Sequence, residues 1–251
     1  MCKKFSGKVA LVTGGTRGLG AATAFALAHQ GADIAISYTS STAKALAVVA
    51  DLKSMGVRAI AIKADQGDAS GAKLLVDKIV EKLGKLDILV NNAAVAWQGK
   101  TIDASDIDNV AMDRQWAINT MGVIANIRAA VKVLPEGGRI ISVGSGLGTR
   151  VAFSGTTDYA ASKAAIVAYS KGAARDLGAR NITVNVVQPG LMDTDMNAGS
   201  KEKLPPIIME SHAIQRYVTV EEVAAAIVFL AGPDACSITG SVIDVNGGFT
   251  A

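Results

Sequence analysis

The sequence predicts an α/β fold of the doubly wound type, in which one parallel sheet of seven strands is flanked by helices. Short runs rich in β-branched residues alternate with longer helical patterns along the whole chain. The strand-like runs are almost continuously apolar, as expected of strands covered by helices on both faces. A glycine-rich turn joins the first strand to the first helix, where folds of this type bind ligands.

The order of the elements indicates a single domain of 251 residues, because no repeat or linker divides the chain. An insertion at about 191–215 is expected to act as a lid over a substrate. The strands are predicted at 9–12, 34–37, 59–62, 88–90, 139–143, 183–187 and 242–245. The helices are predicted at 21–30, 42–55, 69–83, 110–133, 159–177 and 220–230.

The composition favours a small-molecule partner. Hydrophobic residues make up 50% of the chain, charged residues 19%, and the net charge is +3, so neither disorder nor a nucleic-acid surface is indicated. Two cysteines and two histidines are too few to suggest a disulfide framework or a metal site. No apolar run reaches the ~20 residues that a membrane span needs, and we expect a cytoplasmic protein.

The glycine-rich turn is predicted to bind the pyrophosphate of a dinucleotide. Glycines allow a tight turn and a close approach of the backbone to the ligand, and the first helical N–H groups face an anion. The alternative is a strand-to-helix turn that binds nothing. The residues expected to contact the cofactor here are Gly14, Thr16, Arg17, Gly18, Leu19 and Gly20.

The segment after the second strand favours NADP(H) over NAD(H). A site for NAD carries an acidic residue here to bind the adenosine ribose, and no acid occurs between Ile34 and Ala50. Arg17 is expected to bind the extra phosphate of NADP, with Thr39 and Ser40 as hydroxyl donors. The alternative for Arg17 is a solvated loop arginine, which would leave NAD(H) as the cofactor.

Polar and small residues follow the next two strands. Asp65 and Gln66 are predicted to bond the adenine edge, although an acid here also suits a turn or a helix cap. Asn92, Ala93 and Ala94 are small or amide-bearing, which allows a flat cofactor close to the backbone and lets asparagine tie adjacent loops together. An ordinary loop would have a similar sequence.

A serine, a tyrosine and a lysine follow the fifth strand in an order that suggests proton transfer. Ser145 comes just after the strand, and Tyr159 and Lys163 share one face of the next helix. Such a pair is often only a helix-surface contact. The order along the chain, with the glycine turn first, the serine next and the tyrosine–lysine pair after it, favours the proton-transfer interpretation of the pair.

The chain resembles the short-chain dehydrogenase/reductase family over essentially its whole length, and within it the 3-oxoacyl-(acyl carrier protein) reductase-like group. The resemblance implies a Rossmann-type fold, an NADPH-dependent carbonyl reductase or alcohol dehydrogenase, and a homotetramer with helices 110–133 and 159–177 between subunits. The matching motifs are Thr13-Gly14 with Gly18-Leu19-Gly20, Asn91-Asn92-Ala93, Asn119, Ser145, Tyr159 with Lys163, and Pro189-Gly190 with Thr194.

The resemblance also implies roles for individual residues. Tyr159 is the proton donor in reduction; Lys163 lowers the pKa of the phenol and binds the nicotinamide ribose. Ser145, rather than Ser142, binds the substrate oxygen. Asn119 holds a water that links the lysine to solvent. Pro189, Gly190 and Thr194 contact the nicotinamide amide.

The segment expected to contact the substrate departs from the family pattern, because the interval from Ser145 to Tyr159 is one residue longer than is usual in the family. We expect walls at 95–98, at 147–153 and in the apolar lid, and an apolar or medium-sized carbonyl substrate. The lid residues would also suit a helix packed against the body. Two other functions stay open: an NAD-linked alcohol or sugar dehydrogenase, and a nucleotide-binding regulatory protein on the same fold.

Overall fold

The computed structural model describes residues 3–194 and 206–251, with the backbone alone at 206 and 207, and it confirms the predicted fold class. Seven parallel strands form one sheet in the order β3-β2-β1-β4-β5-β6-β7. Each predicted strand is present, with ends that differ by no more than two residues. The strands are β1 (Val9–Thr13), β2 (Asp33–Tyr38), β3 (Ala59–Lys63), β4 (Ile88–Asn91), β5 (Arg139–Val143), β6 (Thr183–Pro189) and β7 (Val242–Val245).

Helices cover both faces of the sheet, and local sequence signals set several of their ends. Thr219 and Glu222 form a capping box at the start of the last helix. Gly84 ends the third helix in the left-handed region, at φ +89°. The helices are α1 (Gly18–His29), α2 (Thr42–Ser54), α3 (Ala72–Leu83), α4 (Asn109–Trp116), α5 (Gly122–Ala130), α6 (Thr157–Leu177), α7 (Pro206–Glu210) and α8 (Val220–Ala231).

The hydrophobic core has two layers, one on each side of the sheet. In β1, Ala10 and Val12 pack in the layer that contains α1 and α8, whereas Val9 and Leu11 pack in the layer that contains α3 and α5. All four side chains have no exposed surface. Because both faces of the strand are buried, its sequence is continuously apolar rather than alternating.

The predicted helix 110–133 is wrong in one respect. A π-helical turn, Ala117–Met121, separates α4 from α5. The amide of Gly122 donates to the carbonyl of Ala117, five residues earlier, which is the bond that defines such a turn. Among the described residues, no helix is long and apolar enough to cross a membrane.

The topology places a crevice at the middle of the sheet. β1 pairs with β2 on one side and with β4 on the other, so the chain connections leave the sheet in opposite directions at this point. In open parallel sheets, ligands bind at the carboxyl ends of the strands beside such a switch. The segments that follow β1, β2, β4, β5 and β6 all meet there.

Candidate active site

One large cleft of about 680 Å³ lies at the carboxyl ends of the strands. Every residue predicted to contact the cofactor lies on its wall, as does Ser145; their contacts with a cofactor stay predictions. Asn119 is not on that wall. The predicted contact residues are Gly14, Thr16, Arg17, Gly18, Leu19, Gly20, Thr39, Ser40, Asp65, Gln66, Asn92, Ala93, Ala94, Tyr159, Lys163, Pro189, Gly190 and Thr194.

The glycine turn has the geometry of a phosphate cradle. Gly14 and Gly18 have positive φ angles of 66° and 50°, which other residues rarely adopt. A Cβ atom on Gly20 would lie 2.3 Å from the carbonyl oxygen of Gly14. Glycine at this position therefore allows the first turn of α1 to pack against the end of β1.

The start of α1 suits an anion. No side chain caps its first turn, and no acidic residue lies in that turn. The N–H groups at the beginning of a helix lack partners within the helix, and the helix dipole attracts negative charge there. Because these groups border the cleft beside Gly18, the turn fits a pyrophosphate.

The end of β4 is tied to the glycine turn, as the sequence suggested. The side-chain amide of Asn92 donates to the carbonyl of Thr13 at 2.8 Å. The hydroxyl of Thr13 accepts the backbone N–H groups of both Asn92 and Ala93 at 3.0 Å. These bonds fix the small residues of the second loop against the cradle.

The adenosine end of the cleft lacks a carboxylate from β2. Asp33, at the start of that strand, is paired with the Nε and backbone N–H of Arg58 at the opposite edge of the sheet. Thr39 and Ser40 line the cleft instead, and Arg17 is exposed beside them. The polar side chains that the loop after β2 contributes are therefore hydroxyls, with the Arg17 cation beside them.

Asp65 and Gln66 are on the wall, but their side chains are already used by the protein. The Asp65 carboxylate forms an ion pair with Arg114 at 2.5 Å and accepts the backbone N–H of Gly67. The amide nitrogen of Gln66 donates to the carbonyls of Ala93 and Ile118, at 2.6 and 3.0 Å. Both N–H groups of that amide already donate to protein carbonyls, so the predicted adenine contact would need other atoms of Gln66.

Ser145, Tyr159 and Lys163 meet at the other end of the cleft. The Ser145 side chain lies close enough to the Tyr159 hydroxyl to lower the pKa of the phenol. The Lys163 ammonium lies 5.8 Å from the centre of the Tyr159 ring and donates to the carbonyl of Val143 at 3.0 Å. Ser142, the alternative serine, is fully buried and contacts the amide of Asn91. Ser145 therefore lines the cleft and Ser142 does not, since successive side chains of a strand point to opposite sides.

Burial shifts both titratable groups of this trio. Burial raises the pKa of Tyr159, and the Ser145 hydrogen bond lowers it only in part. Burial also lowers the pKa of Lys163 to about 8. The sequence had suggested a lowered tyrosine pKa, but in the protein itself desolvation of the phenolate is the larger effect. The phenol is therefore protonated at neutral pH and equipped to donate.

Asn119 lies in the π-helical turn and is almost completely buried. Its carbonyl oxygen accepts the backbone N–H of Val95, and its amide donates to the carbonyl of the same residue, both at 2.9 Å. The side chain thus fixes the loop after β4. The water relay implied by the family resemblance stays a prediction.

The segment after β6 is fixed by the end of β7. Gly190 donates its N–H to the carbonyl of Val245, and a Cβ atom at Gly190 would lie 2.8 Å from the Cα of Asn246. Pro189, Gly190 and Thr194 therefore form a close-packed part of the cleft wall. They line the same cleft as Lys163, and their contact with a nicotinamide stays a prediction.

The predicted substrate walls are present in part. Val95, Ala96 and Gln98 line the cleft, but Trp97 does not. Five residues of the predicted lid line the cleft: Leu191, Met192, Thr194, Ile208 and His212. Two other predicted lid residues, Met196 and Leu204, lie outside the described residues.

Sequence reasoning missed Phe249 and the role of His212. Both line the cleft. Phe249 follows β7 and is distant in the chain from every other site motif. The one available signal was its position after a strand end, since in a parallel sheet all such positions face the same edge.

Comparison with known proteins agrees with this architecture. A sequence model described as enoyl-(acyl carrier protein) reductase matches residues 14–250. The 3-oxoacyl-[acyl-carrier-protein] reductase of Staphylococcus aureus is 36% identical over 96% of this chain and 97% of its own. A cyclic-di-GMP-binding biofilm dispersal mediator protein of Escherichia coli is 37% identical over 98% and 99%.

Among solved structures, a short-chain dehydrogenase from Burkholderia cenocepacia in complex with NADP is 46% identical and superimposes with a TM-score of 0.94. The match covers 99% of this chain and 100% of that one. Fold, cleft and relatives agree, and the chain belongs to the short-chain dehydrogenase/reductase family of NAD(P)-dependent oxidoreductases.

Proposed function

We propose that the protein is an NADPH-dependent carbonyl reductase that uses Ser145, Tyr159 and Lys163 for proton transfer. The observation that carries this proposal is their position in one cleft with the glycine turn, because a cofactor bound at the turn would extend toward the phenol. The 191–215 segment would cover the substrate as a lid.

The chemistry follows from the three side chains. Bound NADPH would supply the hydride that adds to the carbonyl carbon. Ser145 donates a hydrogen bond to the carbonyl oxygen, which stabilises the negative charge that develops there. Tyr159 transfers its phenolic proton to the same oxygen. The Lys163 ammonium, 5.8 Å from the ring, stabilises the phenolate that is left.

The preference for NADPH over NADH rests on the adenosine end. An acid that would bind the ribose hydroxyls of NAD and repel a 2′-phosphate is missing from the loop after β2. Arg17 is exposed at the rim of the cleft, where a guanidinium can bind a phosphate in bidentate fashion. The similar Burkholderia structure, which holds NADP, supports this choice.

The proposed mechanism is tested by Tyr159→Phe, which removes the proton donor and keeps the ring. We expect kcat for ketone reduction to fall by about 10³-fold, with NADPH binding unchanged. The measurements are NADPH oxidation against a ketone panel and NADPH fluorescence titration. Tyr169→Phe, on the same helix but off the cleft, is the matched control.

Equal rates in Tyr159→Phe and the wild type would contradict the assigned mechanism. A 2-enoyl thioester should be included, because the matching family model is described by that chemistry. Faster reduction of the enoyl compound than of any ketone would contradict the carbonyl reductase proposal.

A second candidate is a nucleotide-binding regulatory protein, and the E. coli relative named for cyclic di-GMP binding favours testing it. Calorimetric titration with cyclic di-GMP, with and without saturating NADPH, separates the candidates. Tight binding of cyclic di-GMP that NADPH displaces, together with no reductase activity, would favour the regulator. The buried tyrosine–lysine pair favours the enzyme, because a binding site has no need of a proton donor.

A further inference from the structure

We infer that Phe249, Phe153 and His212 form an aromatic wall that selects a flat aryl ketone carrying a hydroxyl group on its ring. This inference rests on the proposed carbonyl reductase function and names the substrate class of that site. All three side chains line the same cleft as Ser145 and Tyr159.

The position of Phe249 places the wall next to the reacting carbonyl. A Cβ atom on Gly146 would lie 2.8 Å from Cδ1 of Phe249, so the ring occupies the space that a side chain at 146 would take. Gly146 directly follows Ser145, the residue that binds the substrate oxygen. A substrate held by Ser145 therefore meets the Phe249 ring with the group attached to its carbonyl carbon.

The Phe249 ring is held in one orientation. It stacks on Phe153 with ring centres 6.1 Å apart and an angle of 29° between the planes. Arg150 donates to the carbonyl of Phe249 at 2.6 Å, and its guanidinium lies 5.3 Å from the ring centre. With Phe153 and Arg150 packed on the ring and His212 beside it, Phe249 is 4% exposed and offers the cleft a ring edge rather than an open face. A fixed ring edge favours a flat aromatic partner over a puckered aliphatic ring of similar size, because an edge-to-face contact requires an aromatic face on the partner.

His212 supplies a polar group on the same wall, with its ring 5.1 Å from that of Phe249. Its Nδ1 lies 2.8 Å from the carbonyl oxygen of Ile208, which can only accept, so Nδ1 carries the hydrogen. In the neutral ring, Nε2 is then an acceptor. No hydrogen bond from residues 3–194 or 206–251 reaches Nε2.

The three features together define the substrate. Its carbonyl reaches Ser145 and Tyr159, the face of its ring packs on the edge of Phe249, and a ring hydroxyl donates to Nε2 of His212. A ring hydroxyl fits this site better than a methoxy group, which cannot donate. The substrate class is therefore a hydroxylated aryl ketone.

The test compares hydroxyacetophenones with methoxyacetophenones and with cyclohexyl methyl ketone. For the wild type we expect kcat/KM to be about fivefold higher for the hydroxyaryl than for the cyclohexyl ketone. Phe249→Leu should remove that preference. His212→Phe should remove only the preference for hydroxyl over methoxy. Phe229→Leu and His29→Phe, which lie away from the cleft, are the matched controls.

Equal kcat/KM for aryl and cyclohexyl ketones in the wild type would overturn the inference and leave the reductase proposal intact. Loss of hydroxyl preference in the controls as well would overturn the role of His212. If the wild type reduces no ketone, the reductase proposal fails, and calorimetry then decides the aromatic wall separately. Hydroxyacetophenone must still bind more weakly to Phe249→Leu and His212→Phe than to the wild type; equal binding overturns the wall.

Discussion

Lys163 shows how a single residue can favour activity at the expense of stability. It is 3% exposed, and within the part of the chain that the structure describes its ammonium has one acceptor, the carbonyl of Val143. Burying a charge with so few partners is unfavourable, which is why the pKa of Lys163 falls to about 8. In the proposed mechanism Tyr159 needs a cation nearby, and that need would account for a lysine at this buried position.

Replacing Lys163 with methionine should therefore stabilise the fold at pH 7. Below pH 8 the folded and unfolded chains both hold the proton, so the folded state bears the full cost of the buried charge, about 3 kcal/mol for a pKa lowered from 10.5 to about 8. Between pH 8 and 10.5 only the unfolded chain still holds it, and the stability of the wild type rises with pH. We expect a higher urea midpoint for Lys163→Met at pH 7 and a smaller difference at pH 10.

The activity of Lys163→Met supplies the control. A loss of turnover together with a gain in stability would show that Lys163 supports catalysis and destabilises the fold. A lower midpoint for Lys163→Met at pH 7 would show that the hydrogen bond to Val143 outweighs the burial of the charge.

We expect Arg17 to decide the choice of cofactor. Arg17→Ala should raise the KM for NADPH at least tenfold and change that for NADH little, because only NADPH carries the 2′-phosphate. The measurement is steady-state kinetics with both cofactors on one ketone. Arg17→Lys is the companion variant, which keeps the charge and loses the bidentate geometry. A similar rise for both cofactors would contradict the phosphate contact.

At the residue scale, the sequence predicted those cleft residues that can be identified from their order along the chain. Gly14, Ser145, Tyr159 and Lys163 follow strand ends or share a helix face, and the structure brings them to one cleft. It could not predict that the amide of Gln66 would be taken by the Ala93 and Ile118 carbonyls, because those partners depend on how three loops pack. The place of Phe249 depends in the same way on packing against Gly146.

At the scale of elements, the π-helical turn at Ala117–Met121 is the feature that positions a predicted site residue. It adds a residue to the helix, which lets Asn119 turn its amide to the backbone of Val95. Gly122 follows, and a Cβ atom there would lie 2.0 Å from the carbonyl of Gln66. The turn thus fits between two loops of the cleft. Its apolar pattern resembles that of an α-helix, so sequence periodicity predicts one uninterrupted helix.

Asn119→Ala should loosen the loop after β4. It removes both hydrogen bonds to Val95 and leaves the backbone N–H and carbonyl of that residue without these partners, at a cost of about 2 kcal/mol in the free energy of unfolding. We also expect lower kcat with the KM for NADPH raised, because Val95 and Ala94 line the cleft. Denaturant unfolding and steady-state kinetics measure the two effects.

Asn119→Asp is the companion variant, because it keeps the acceptor for the Val95 N–H and loses the donor to its carbonyl. Its stability should not exceed that of the wild type. Wild-type stability and kinetics in Asn119→Ala would show that the loop is fixed by other contacts.

At the scale of the whole molecule, the family resemblance predicts a homotetramer. Two exposed apolar side chains lie in the 110–133 segment, one of the two expected at its interfaces: Val110 on α4, at 80% exposed, and Met121 at the end of the π-helical turn, at 51%. Such residues on one surface suit burial against another copy of the chain.

Light scattering should give a mass of about four times the 25.6 kDa of one chain. Met121→Arg places a charge where the interface is expected and should lower that mass, whereas Leu74→Arg, at an exposed apolar position on α3, should not. A wild-type monomer would remove the tetramer prediction, and an unchanged Met121→Arg would remove Met121 from the interface.

The strand order also bears on how the chain folds. β1 lies between β2, which follows it closely, and β4, whose residue Ile88 pairs with Ala10. During synthesis the cradle and the adenosine end are complete in sequence well before Ser145 and Tyr159 are made. Parallel pairing between distant segments is slow because long loops must close first. A nascent chain therefore contains the segments expected to bind the nucleotide before those expected to perform the chemistry, and a nucleotide that binds those segments once folded would stabilise them.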